Sequence, residues 1–303
     1  MRPTLPAAAA LALTALSAAA DPAHPVTYHT LEVEGVPVFY REAGPAEAPV
    51  LLLLHGFPSS SHMFRDLIPE LADSFHIIAP DYPGFGQSGA PVRADFGTLA
   101  QTMTALTEGL GLTSYTLYMQ DYGGPVGMRM AVQHPDRING LIFQNATIHV
   151  EGWSPDVVAQ FAPFWAERTP ETEAPLRQFL TAETTRWQYE HGSTRTDRLS
   201  PDAWLSDQAG LDRPGNDAIQ LDYLWSYQDN VASYPAWQDY LAAERPRTLI
   251  VWGKNDPFFT MNAVTGLQNL LPNAETRLYE AGHFALETHT PEIAAAIRDV
   301  MAH

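Results

Sequence analysis

The chain has no cysteine in 303 residues. Disulfide bridges, thiolate metal sites, iron–sulfur clusters and a cysteine nucleophile are therefore excluded together. Lysine is almost as scarce: Lys254 stands alone among 17 basic residues, which face 35 acidic ones and leave a formal charge of −18. A field of that sign repels phosphate backbones and anionic membranes, so nucleic acid is not expected as a partner. Two catalytic signatures are missing as well. Without Gly-x-Ser-x-Gly, the usual serine version of the nucleophile elbow is absent. Without His-Glu-x-x-His or a calcium-loop pattern, no metal is expected. Gly84-Phe85-Gly86-Gln87-Ser88-Gly89 matches the dinucleotide fingerprint in letters only, because Pro83 and Pro91 bracket it and no helix opens there. No cofactor is expected.

What is present suits a large core: 45% of the residues are hydrophobic, with 13 Phe, 12 Tyr and 7 Trp. Disorder and low-complexity architectures do not have this composition. At the start, Arg2 is followed by an Ala/Leu run over residues 7–20 that ends in Ala18-Ala19-Ala20 before Asp21-Pro22. This pattern predicts a signal peptide over residues 1–20 and a periplasmic or extracellular protein beginning near Asp21.

Alternation around Gly35 predicts a hairpin over residues 30–43. The run Val50-Leu51-Leu52-Leu53-Leu54 then reads as a strand buried on both faces. Helices and strands alternate beyond it: helix 63–72, strand 76–79, helix 98–110, strand 115–119, helix 124–134 and strand 140–143. Such alternation predicts an α/β protein with a mostly parallel sheet and helices on both faces. Over residues 150–240 the strand-like runs stop, and Trp, Pro, Arg and acidic residues dominate. Strands return at residues 248–252 and 276–279, and a last helix is expected over 291–301. The chain thus divides into a core of residues 21–149 and 241–303 and an inserted helical segment of residues 150–240.

The candidate chemistry sits at strand ends. Tyr118-Met119-Gln120-Asp121-Tyr122-Gly123-Gly124 runs from a strand through a Gly-rich turn into a helix, which presents Asp121 above the sheet. A carboxylate there displaces a leaving group from an sp3 carbon and forms an alkyl ester, which a histidine-activated water then hydrolyses. Gly282-His283-Phe284 supplies the histidine after the last strand, and Asp256 in Asn255-Asp256-Pro257 the acid that orients it. The backbone N–H groups of Phe57 and Tyr122 occupy the places of an oxyanion hole. Asn145-Ala146-Thr147 is formally a glycosylation sequon, but at a strand end it is expected to serve the turn.

On these residues the chain resembles the α/β-hydrolase superfamily, and within it the branch with an aspartate nucleophile, the epoxide hydrolases and haloalkane dehalogenases. The resemblance runs from about Val26 to the C-terminus. It is carried by His55-Gly56-Phe57-Pro58, Asp81-Tyr82-Pro83-Gly84-Phe85-Gly86-Gln87-Ser88, Gln120-Asp121-Tyr122-Gly123-Gly124, Trp252-Gly253-Lys254-Asn255-Asp256 and Gly282-His283-Phe284. The order nucleophile, acid, histidine agrees with that superfamily.

The resemblance implies that residues 150–240 form a cap over the active site. Epoxide hydrolases use cap tyrosines to protonate the departing oxygen, whereas haloalkane dehalogenases hold halide with a Trp beside the nucleophile and an Asn in the first loop or a second Trp from the cap. Tyr122 and Phe57 stand at the first two positions, which favours an epoxide. Tyr227 in Leu221-Asp222-Tyr223-Leu224-Trp225-Ser226-Tyr227-Gln228 matches a cap tyrosine. Phe164 and Trp165 stand where a first cap tyrosine is sought, and Trp187 resembles the cap tryptophan of one dehalogenase group.

The expected protein is an exported epoxide hydrolase acting on a small apolar substrate as a monomer or homodimer. Haloalkane hydrolysis is the alternative, and a non-catalytic binding protein on the same scaffold a third.

Overall fold

The computed structural model describes residues 24–302; the predicted leader, residues 1–20, lies outside them. Eight strands form one sheet in the order β1-β2-β4-β3-β5-β6-β7-β8. β1 (Thr27–Val33) and β2 (Val36–Ala43) make the expected hairpin. Glu34 and Gly35, at φ +50° and +84°, form its two-residue turn. β2 joins the rest of the sheet antiparallel to β4 (His76–Pro80). From there every pairing is parallel, through β3 (Val50–Leu54), β5 (Tyr115–Gln120), β6 (Ile138–Gln144), β7 (Thr248–Gly253) and β8 (Glu275–Tyr279). β3 reads as an unbroken apolar run because it lies between β4 and β5 with helices over both faces. β8 sits on the edge and keeps Arg277 and Leu278 exposed.

On one face pack α2 (Phe96–Gly109), α3 (Gly123–Gln133) and α10 (Met261–Leu270). On the other pack α1 (Leu67–Leu71) and α11 (Ala285–Met301). Two expected helices differ in extent. The predicted helix 63–72 is a 3₁₀ turn, Ser61–Phe64, followed by the short α1. Pro69 has no N–H to offer the carbonyl four residues back, so a continuous helix loses a bond there. α11 begins six residues earlier than expected and bends at His289 (φ −131°), two residues before Pro291.

The chain leaves the sheet at Gln144 and returns at Thr248. Between them lie six helices: α4 (Pro155–Ala166), α5 (Pro170–Glu173), α6 (Ala182–Glu190), α7 (Pro201–Leu211), α8 (Asn216–Ser226) and α9 (Gln228–Glu244). Their burial varies widely: α5 has no buried residue, whereas α8 buries six of its eleven, Gln220 and Tyr223 among them. Tyr223 donates its hydroxyl proton to the Pro83 carbonyl at 3.1 Å, and Gln220 donates to Gly84 at 3.1 Å. The Tyr189 ring stacks on Phe284 of the core at 4.1 Å and 3°. Tyr189 also donates to Asp207, which is buried beside the Arg65–Glu287 ion pair. Burial pushes the Asp207 carboxyl up to about 7, with Tyr189 opposing and Glu287 assisting.

Candidate active site

β5 delivers Asp121 to the cavity. The residue takes a left-handed conformation, φ +48°, between the end of β5 and the start of α3, which turns its side chain up and away from the sheet. Such a bend needs bare backbone on either side. A Cβ on Gly123 would come 2.3 Å from the Leu54 carbonyl oxygen, and one on Gly56 would come 2.3 Å from the Asp121 Cβ. Both glycines are thus dictated by close approach. The Phe57 N–H donates to Asp121 Oδ1 at 2.7 Å, and the Tyr122 N–H also reaches the carboxylate. Burial raises the Asp121 pKa above the usual value, although His283 and those two N–H groups pull against it.

His283 follows β8 and lies buried beneath Phe258 and Phe259, whose rings are 5.0 and 5.8 Å from its own. Its Nδ1 pairs with Asp256 Oδ2 at 2.9 Å, and its Nε2 lies 3.9 Å from Asp121 Oδ2. An Nδ1–H given to the Asp256 carboxylate leaves Nε2 with the lone pair that a base needs. Burial opposes charge on the ring, but the Asp256 charge and hydrogen bond, together with Asp121, outweigh it and raise the pKa.

Asp256 accepts three further bonds, from Asn145 Nδ2 at 2.8 Å and from the backbone N–H groups of Phe258 at 2.8 Å and Phe259 at 3.2 Å. Asn145, directly after β6, takes the same left-handed conformation as Asp121, φ +45°. Beyond its bond to Asp256 it donates to the Gly253 carbonyl and accepts from the Gly253 N–H. The sequence placed Asn145 in a turn but gave no sign that it fastens the end of β7 and the acid; only its position at a strand end pointed there. His55, by contrast, is no base. Its Nδ1 bonds the Gly56 carbonyl, its Nε2 accepts from the Tyr82 N–H at 3.1 Å, and burial lowers its pKa to about 4.

A narrow cavity of about 40 Å3 lies between the strand ends and the cap. Asp121, His283, Phe57 and Tyr122 line it from below, and Tyr227 and Trp153 are among the cap-side residues. The structure thus brings together six of the sequence candidates, Asp121, His283, Phe57, Tyr122 and Tyr227 with Asp256 behind His283; it adds Trp153, which the sequence reading missed, and leaves out Trp165 and Trp187. Trp165 stacks on Tyr227 from outside the cavity, and its indole N–H is given to the Leu224 carbonyl at 2.9 Å. Trp187 is 40% exposed, packed on His191 and Phe258, because α6 turns it outward. The next residue, Gln188, faces the cavity instead. Its side-chain nitrogen is buried with no partner. The Tyr227 hydroxyl is buried without a bond of good geometry, with Tyr234 beside it. Trp153 differs, donating its indole N–H to the Tyr234 oxygen at 3.1 Å.

Three polar side chains carried to one capped cavity by the ends of parallel strands, with backbone donors at the elbow, are the working plan of a hydrolase on a parallel sheet. The alpha/beta hydrolase fold model matches residues 49–290, and the chain belongs to that family. It is 38% identical to an uncharacterized hydrolase of Saccharomyces cerevisiae over 91% of this chain and 97% of the relative. It is 29% identical to a haloalkane dehalogenase of Mycobacterium marinum over 91% and 92% of the two chains. Epoxide hydrolase 3 of Xenopus tropicalis is 27% identical, with 90% and 77% covered. Among solved structures, Cfl2 from Burkholderia cenocepacia superposes with a TM-score of 0.77 at 23% identity over 91% and 96%. The protein is a hydrolase of the α/β type, related to haloalkane dehalogenases and epoxide hydrolases.

Proposed function

We propose that the protein opens epoxides to diols through an ester on Asp121. The observation that favours an epoxide over a halide is on the cap side of the cavity: a buried tyrosine hydroxyl lacks a good partner there, while the indole N–H of the one tryptophan in the wall is already given away. A hydroxyl can protonate a departing oxygen, whereas a halide needs only N–H donors.

In this reading Asp121 Oδ1 is held by the Phe57 N–H, so Oδ2 attacks the ring carbon. The C–O bond of the epoxide breaks as the new ester bond forms, and the released oxygen takes the Tyr227 proton; the Gln188 amide supplies a second hydrogen bond. Water then adds to the ester carbonyl and gives its proton to His283 Nε2. The oxyanion forms at Oδ1, already held by the Phe57 N–H, with the Tyr122 N–H also directed at the carboxylate. Collapse expels the diol oxygen, which takes the proton held by His283; the carboxylic acid left at Asp121 gives up its proton, which returns to the Tyr227 phenolate, and both groups are restored. Asp256 keeps the ring oriented and stabilises the imidazolium. The apolar walls suit a small apolar substrate. The leader supports export, and the mass of the mature chain from a secreting host tests cleavage near Asp21.

The deciding experiment offers the enzyme an aryl or alkyl epoxide and, separately, a chloro- or bromoalkane, with diol and halide both measured. Diol formation, and a mass increment on the Asp121 peptide when His283 is replaced by Gln, are the expected results. Halide release without diol overturns the choice of substrate. Turnover of either substrate with no adduct overturns the covalent route.

A further inference from the structure

Gln120, the last residue of β5, is fully buried directly before Asp121. Its Nε2 stands 3.0 Å from His283 Nε2, the nitrogen left free by the bond between Nδ1 and Asp256. No other hydrogen bond reaches that nitrogen among the described residues. With the proton on Nδ1, the contact is a donation from the Gln120 amide to the lone pair of the base. The far end of the same amide, Oε1, is buried without a partner. It lies over Gly56, where a Cβ would come within 2.4 Å of it.

This arrangement has an unusual freedom. Turning the amide end for end sacrifices no hydrogen bond at Oε1, because there is none to lose. A neutral ring is matched by the N–H end, and a ring that has gained a proton on Nε2 is matched by the carbonyl end.

We infer that Gln120 is a positioning residue for the ester-hydrolysis step, its amide donating to His283 Nε2 at rest and turning to accept from Nε2–H once that nitrogen has taken the proton of the attacking water. No atom of Gln120 enters the bond changes. Its contribution is to hold the ring in one plane through the change of charge, giving Nε2–H an acceptor until the proton passes to the departing diol oxygen. The titratable groups facing the ring are Asp121 from the end of β5 and Asp256 from the loop after β7; Phe258, Phe259 and Phe284 cover the remainder. The inference rests on the covalent route proposed above, but one arm of its test does not.

The first arm follows the wild-type enzyme, without substrate, by NMR across a pH titration. The Gln120 side-chain amide signals should move with the same midpoint as the His283 ring, assigned by their loss in His283→Gln and Gln120→Leu. An amide that stays still while the ring titrates overturns the inference. The second arm measures ester formation and ester decay separately with an epoxide. Gln120→Leu should slow decay by about tenfold, the effect of one lost hydrogen bond, and leave formation within about twofold. Gln120→Glu, which when ionised can only accept, should move the ring midpoint and the decay profile together to higher pH. A Gln120→Leu decay rate equal to that of the wild type overturns the inference. Absence of any ester in the wild type overturns the covalent route alone, since the NMR arm still decides what Gln120 does.

Discussion

The floor and the roof of the cavity treat hydrogen bonds in opposite ways. On the floor the catalytic side chains are matched: Asp256 accepts four bonds, Asn145 uses both ends of its amide, and Asp121 Oδ1 accepts from the Phe57 N–H, while the Tyr122 hydroxyl and Gln120 Oε1 are left over. In the roof the Tyr227 hydroxyl and the Gln188 amide are buried and unmatched. A buried polar group without a partner is costly. Two of them bordering one cavity mark the side where the substrate supplies what the protein lacks. The floor is organised before substrate arrives; the roof is completed by it.

The largest expected effect comes from breaking the floor at its centre. Asp121→Ala should abolish turnover, by about 10³-fold or more in kcat, with the fold retained as judged by circular dichroism. Residual turnover within tenfold of wild type would remove Asp121 from the chemistry. Next is the roof: Tyr227→Phe should lower the rate of ester formation by about 10²-fold, the usual scale for a lost general acid, and leave ester decay unchanged. Its Tm should hold or rise, because no good bond is lost. A fall in Tm without a rate effect would erase the contrast between roof and floor.

Asn145→Ala tests the same contrast from below. It should cost about 2–3 kcal/mol in stability, because it leaves Gly253 and one Asp256 oxygen short of partners, and denaturant unfolding measures it. The last effect, read as a pH slope, lies at the seam between cap and core. Asp207 ionises near 3.8 as a free side chain and at about 7 in the fold, so between those values the native state holds the extra proton. Its contribution therefore favours the fold at low pH and is lost as pH rises from about 4 to about 7. Asp207→Asn should flatten that part of the stability profile, and an unchanged slope would dismiss the buried acid as its source.

The same division explains what could be read from the sequence. Asp121, Asp256 and His283 were legible because each follows the end of a strand, and a parallel sheet sends such ends to one side. Phe57 and Tyr122 followed, since backbone donors depend on chain position and not on side-chain type. In the cap no such ruler exists. Tyr227 was found by likeness to a motif, yet Trp187 and Gln188 are neighbours on one helix, and only the rotation of α6 decides which of them enters the cavity. Trp165 failed as a candidate for a related reason: its indole N–H closes a bond to Leu224, which no local pattern announces. Asn145 and Gln120 act across strands, and their partners lie 111 and 163 residues away in the chain.

The bare backbone around Asp121 has a consequence for heat. Gly123 lies against the Leu54 carbonyl at the end of β3, and Gly56 against the Asp121 side chain itself, so the angle at which the carboxylate leaves the sheet is not a rotamer that warming can shift by itself. It persists for as long as β3 and β5 stay paired. Inactivation of the ester-forming step on heating should therefore coincide with melting of the sheet, and any earlier loss of turnover would have to begin among the cap helices.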